Sequence, residues 1–139
     1  MSRMSHIDYH VHTGLNLIEA RFTGVVQLSD LLLYTEELLS LDLVTEGTIE
    51  YADLSEMTNF SLDYMSATQL DNTFQEMLTR GWQGSVVFTP QEYQFGIIRM
   101  IGAIAGSIGG ALDILMIPIR EPISLDEVRD LIAQHRQIS

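Results

Sequence analysis

Apolar positions near the start of the chain fall on every second residue. Ile7, Tyr9 and Val11 alternate with polar residues, and Ile18, Ala20 and Phe22 do so again after Gly14. That period of two predicts two half-buried strands. Gly14-Leu15 between them suits a two-residue hairpin loop with a type II′ turn. Counting outward from it pairs His12 with Leu17, His10 with Glu19 and Asp8 with Arg21. The spacing then changes. Leu28, Leu31, Leu32, Thr35, Leu38 and Leu39 keep a helical period, with Ser29 as cap. "TIEYADL", 48–54, predicts a strand in which Ile49, Tyr51 and Asp53 alternate against Glu50 and Ala52, and "SEMTNF" a loop.

A second helix is expected from about Leu62 to Arg80, capped by Ser61 and stopped by Gly81, with Ala67, Leu70, Phe74, Met77 and Leu78 inward. "GSVVFT", 84–89, is a short continuous apolar run, as in a central strand. In "TPQE", Thr89, Pro90 and Glu92 have the spacing of a capping box. The helix it opens is expected to reach about Ile108, with Tyr93, Ile97, Met100, Ile101, Ile104 and Ile108 as its core stripe. "ALDILMIPI" predicts a strand, and Ser124 with Glu127 opens a last helix through about Gln134. The order β-β-α-β-α-β-α-β-α implies one α/β domain over 1–139: a five-stranded mixed sheet, largely parallel, with the hairpin adding an antiparallel edge. Val86, Val87, Phe88 and 114–117 are expected at its centre.

Composition narrows the chemistry. The formal net charge is −12, from 19 acidic residues against 7 arginines and no lysine. Such a field repels phosphate backbones and anionic lipid heads, so nucleic-acid binding is not expected. Missing lysine excludes Schiff-base chemistry; missing cysteine excludes thiol catalysis and disulfides and fits a cytoplasmic protein. No apolar leader is visible at the N-terminus. The run 95–117 is long enough to span a bilayer. Arg99 and Asp113 within it would each cost about 2.5–3.5 kcal/mol at the membrane centre, so a buried helix followed by a buried strand is expected instead.

Two places carry candidate chemistry. His6, Asp8, His10 and His12 share one strand face, a set of first-row metal ligands. "DYHVHT" resembles the D-x-H-x-H-T opening of the polymerase-and-histidinol-phosphatase metallohydrolases, and more loosely the H-x-H of amidohydrolases. The resemblance implies a metal-dependent hydrolase on that face, with His10 and His12 as ligands. The later ligands such families need are missing, since the only later histidine is His135. The opposing reading is the wet side of a hairpin, with His10 and His12 beside Glu19 and Arg21 and no cofactor. The second place is the third helix. Beyond its core stripe, Phe95, Ile98, Gly102, Ala105 and Gly106 line another apolar side. A helix apolar on most sides is buried on most sides, by its own sheet and neighbours, by a second copy, or by a ligand. Arg99, amid that surface, is expected to pair with a carboxylate.

The element order, together with Asp53-Leu54-Ser55 in "YADLSEM", resembles the STAS family, the anti-sigma-factor-antagonist or SpoIIAA-like fold. "GSVVFTPQEYQFGIIRMIGAIA" is similar to small SpoIIAA-like proteins at Pro90, Gly96, Arg99 and Met100. The resemblance implies a non-catalytic regulatory or binding module, engaging a protein partner or a small apolar, lipid-like ligand. In sigma-regulating members a D-S-S-G follows the D-L-S strand end and carries the phosphorylated serine. Laid on this chain from Asp53, the aspartate falls on Ser61 and the phosphoacceptor on Leu62, which cannot be phosphorylated. Ser61, one place off, is the substitute phosphoacceptor, or simply a helix cap. Tyr64, Phe95, Ile98, Arg99 and Gly102 are the expected ligand or partner surface, as a homodimer seam or an apolar groove.

Overall fold

The computed structural model describes the backbone at 3–4, 6–61, 63–107 and 114–138, and side chains at 6–61, 63, 65–102 and 114–136. The hairpin expected at the start is present as β2 (Ile7–His12) and β3 (Leu17–Gln27), and a two-residue strand, β1 (Arg3–Met4), pairs with β2 outside it. Its register is the one counted from the sequence: His12 opposite Leu17, His10 opposite Glu19, Asp8 opposite Arg21. The connection differs. Thr13–Leu15 form a 3-10 turn and Asn16 takes a left-handed backbone, φ 49°. Asn16 can stay there because its side chain is tied down. Its amide donates to the Glu46 carbonyl, and its Oδ1 accepts from Thr48 at 2.9 Å.

Helix α1 (Leu28–Ser40) leads to β4 (Ile49–Ser61), α2 (Tyr64–Thr79) to β5 (Gly84–Phe88), and α3 (Glu92–Ser107) to β6 (Met116–Ile119); α4 (Leu125–Ile138) closes the chain. The strands lie in sequential order β1 to β6, with β3, β4, β5 and β6 parallel. Successive parallel crossovers of one hand, all stepping the same way, put their helices on one face. Accordingly, side chains of α1, α2 and α3 such as Leu31, Leu38, Leu70, Phe74, Ile97 and Ile101 share a core with Ile18, Ala20, Ala52 and Val87. On the other face, Val128 and Ile132 of α4 pack on Leu17, Ile49, Tyr51, Val86 and Ile117. The sequential order makes β6 an edge strand and β4 central, so of 114–117 only Ile117 is fully buried.

Three helix starts differ from expectation. At α1 the cap is Gln27, not Ser29, and the Asp30 carboxylate accepts from the Gln27 N–H at 2.8 Å. At α2 the cap is Asp63, whose carboxylate accepts from the Met65 N–H and the Ser66 hydroxyl. Those two bonds hold the exposed Asp63 carboxyl below its ordinary value, the Ser66 hydroxyl most of all. At α3 Thr89 is drawn to the edge strand instead: its N–H and its hydroxyl both reach the Ile119 carbonyl. Gln94 then does the capping, its Oε1 accepting from the Gln91 N–H. At α4 the expected box is half made, with Glu127 accepting from both the N–H and the hydroxyl of Ser124.

The largest departure is β4. The segment 55–60, expected as a loop, continues the strand with Ser61 and pairs with β3 from Thr23 to Gln27. Two register shifts, between Arg21 and Thr23 and between Gly24 (φ 66°) and Val25, each take up one extra residue of β4. Pairing of β4 with β5 ends at Asp53 and Phe88, so the β3–β4 ribbon runs on beyond the rest of the sheet. Ser61 is therefore the exposed last residue of a strand, opposite Gln27, and not a helix cap. Leu62, the aligned phosphoacceptor position, lies outside the described residues.

Candidate ligand cleft

The parity of β4 decides what faces the three helices. Ile49, Tyr51 and Asp53 point toward the α4 side, while Glu50, Ala52 and Leu54 point under α1, α2 and α3. A carboxylate is thus carried into the apolar layer. Glu50 is 8% exposed, and the hydroxyls of Tyr34 and Ser85 donate to its two oxygens at 2.5 and 2.7 Å. Burial pushes the Glu50 carboxyl above its ordinary value, and the two hydrogen bonds only partly oppose this. Burial likewise pushes Tyr34 well above the usual phenol value, with the Glu50 charge adding to it.

These groups border a cleft between the sheet and α1–α3. Its empty volume, open mouth included, is about 620 Å³. Its walls are apolar: Phe22, Leu54, Met57, Phe74, Ile98 and Ile101 among others. Trp82 also lines it, 4% exposed, and among the described residues the indole Nε1 has no hydrogen-bond partner. Gly81 explains how the indole gets there. With φ 110° it ends α2 in a left-handed turn, the Trp82 N–H bonds back to the Met77 carbonyl, and the ring swings inward.

The expected surface residues separate. Ile98 is buried and lines the cleft. Gly102 faces Met116 of the edge strand, and a Cβ there would sit 3.6 Å from the Met116 methyl. Phe95 is half-buried under the Arg120 guanidinium, 5.5 Å from the ring centroid, and Arg120 pairs with Glu92 at 2.5 Å. Arg99 is exposed, and among the described residues no ion pair holds it, because it lies on the solvent side of α3 and not in the apolar surround expected for it. Tyr93, expected in the core stripe, is 42% exposed, and its hydroxyl donates to the Met57 carbonyl. The side chains of Tyr64, Ile104, Ala105 and Gly106 lie outside the described ones.

On the opposite face, His6 and His10 are exposed and His12 half-buried. His12 Nε2 lies 2.8 Å from Glu19 Oε1, and the His10 and His12 rings meet edge-on at 4.6 Å between centroids. Among the described residues no three His, Asp or Glu side chains converge as a metal site.

Tyr34, Glu50, Ser85 and Trp82 were not among the residues singled out from the sequence. The available signal was parity: Glu50 shares its strand face with Ala52 and Leu54. For Trp82 it was the position immediately after a helix-stopping glycine.

No family model matches this chain, and no curated protein matches it. Among solved structures it is similar to an uncharacterized protein of the DUF3478 family from Shewanella loihica PV-4, which has a SpoIIAA-like fold. The TM-score is 0.54 and the identity 14%, over 95% of this chain and 98% of that one. A further match is the unphosphorylated form of the anti-sigma factor antagonist SpoIIAA, with a TM-score of 0.46 and 10% identity, covering 94% of this chain and 97% of that one. The fold is SpoIIAA-like. No described helix is long and apolar enough to cross a membrane.

Proposed function

We propose that this chain is a non-catalytic, SpoIIAA-like binding module that holds a small apolar, lipid-like ligand between its sheet and helices α1–α3. The observation that carries this reading is the cleft itself: an apolar space bordered by a buried polar cluster at Glu50, Tyr34 and Ser85. Binding sites for small molecules have this composition, mostly apolar walls with a few placed polar groups. The polar cluster lacks the parts of a catalytic centre. Glu50 already accepts two hydrogen bonds, and among the described residues no histidine, cysteine or lysine lines the cleft.

Native mass spectrometry tests the proposal. The purified chain is compared as isolated, after organic extraction, and after exposure to a total lipid extract. The expected result is an added mass that organic extraction removes and lipid restores. A bare chain mass under all three conditions would contradict it.

A further inference from the structure

We infer that the ligand of this cleft is a neutral apolar molecule carrying one acceptor oxygen, which receives the indole N–H of Trp82. The inference rests on the apolar-ligand reading above and adds the chemistry of the ligand. Three observations carry it. The first is the wall: the cleft, about 620 Å³ with its mouth, is lined mostly by apolar side chains.

The second is the state of the polar groups along the wall. Tyr34 and Ser85 spend their hydroxyl protons on Glu50, and Thr35 spends its own on the Leu31 and Leu32 carbonyls of α1. Trp82 Nε1 alone among the described lining side chains is a buried donor without an acceptor. Indole nitrogen donates and never accepts, so only an acceptor satisfies it. A buried donor left unpaired is unfavourable, and a ligand oxygen would remove that penalty.

The third is charge. Among the described residues no arginine or histidine lines the cleft and a buried carboxyl does, so an anionic head would enter without a counter-ion. A cationic head would have to share Glu50 with the Tyr34 and Ser85 hydroxyls. A hydroxyl or carbonyl oxygen remains.

The chain has a single tryptophan, so its emission reports this site alone. The full chain is titrated with 1-hexanol, n-hexane, hexanoate and hexylammonium, following binding by calorimetry and Trp82 emission in parallel. The expected result is hexanol tightest, about tenfold over hexane, with a red shift of the emission as the indole N–H gains an acceptor. In Trp82→Phe the hexanol preference falls to within about twofold while hexane binding persists. Should that variant not fold, the spectral shift in the natural chain still decides. Equal binding of hexanol and hexane with unchanged emission overturns the head-group inference and leaves the apolar-ligand reading standing. Tighter binding of hexanoate or hexylammonium overturns it as well, the latter by moving the site to Glu50. Binding of none of the four removes both readings.

Discussion

Glu50 sits where strand geometry, not local polarity, decides exposure. Its own neighbours in sequence include Tyr51 and Asp53, but its neighbours in space are Tyr34 and Ser85. Burial raises its carboxyl pKa, so above the ordinary value of 4.5 the folded chain holds a proton that the unfolded chain releases. Stability therefore falls as pH rises from that value through the raised folded one. Glu50→Gln keeps the shape and removes the titration. Urea denaturation across pH 4 to 8 should show a downward slope in the natural chain that is absent in the variant, with the variant the more stable at pH 8. Equal slopes in the two proteins would place Glu50 outside that linkage. This residue was legible by parity, since Ala52 and Leu54 mark its face as the dry one. Tyr34 was not. It falls off the leucine stripe of α1, and only a carboxylate on another strand gives its hydroxyl a buried partner.

At the scale of elements, the alternation of strand and helix was readable throughout, and most interior residues followed from period alone. The hairpin register from Asp8 to Arg21 follows from a count outward from Gly14, because one-residue slips would turn Ile7, Tyr9, Ile18 and Ala20 to solvent. Element ends were not readable, because tertiary partners set them. The polar stretch 55–61 lacks any strand alternation, and it becomes a strand because Thr23 to Gln27 offer it a ladder. Thr89 has the pattern of a cap, yet the Ile119 carbonyl takes both of its donors. The same ribbon fixes α3. Buried Gln94 donates from Nε2 to the Leu54 carbonyl at 2.6 Å and the Met57 carbonyl at 3.2 Å, joining one wall of the cleft to the sheet. Gln94→Leu leaves the Leu54 carbonyl without that donor and the Gln91 N–H without its acceptor. We expect a loss of about 2–3 kcal/mol in denaturant-derived stability. We also expect faster amide exchange confined first to the N-terminal half of α3. A loss below about 0.5 kcal/mol would mean that Gln94 does not anchor the helix.

For the whole molecule, the sheet is covered unevenly. Three helices share one face, whereas α4 alone covers part of the other, leaving the histidine side of the hairpin to solvent. The thicker layer is where a cleft can open without exposing the sheet, and there the apolar walls meet the Glu50 cluster and the unpaired indole. A competing place for apolar contacts is the outer side of α1, where Leu33 and Leu41 are more than half exposed. The two are separable by where a ligand is felt. The most direct test is a methyl-resolved NMR titration of the Ile- and Leu-labelled chain with 1-hexanol. Ile97, Ile98 and Ile101 should shift saturably while Leu33 and Leu41 stay in place. Saturable shifts at Leu33 and Leu41, with the three isoleucines unmoved, would contradict a ligand cleft between the sheet and α1–α3.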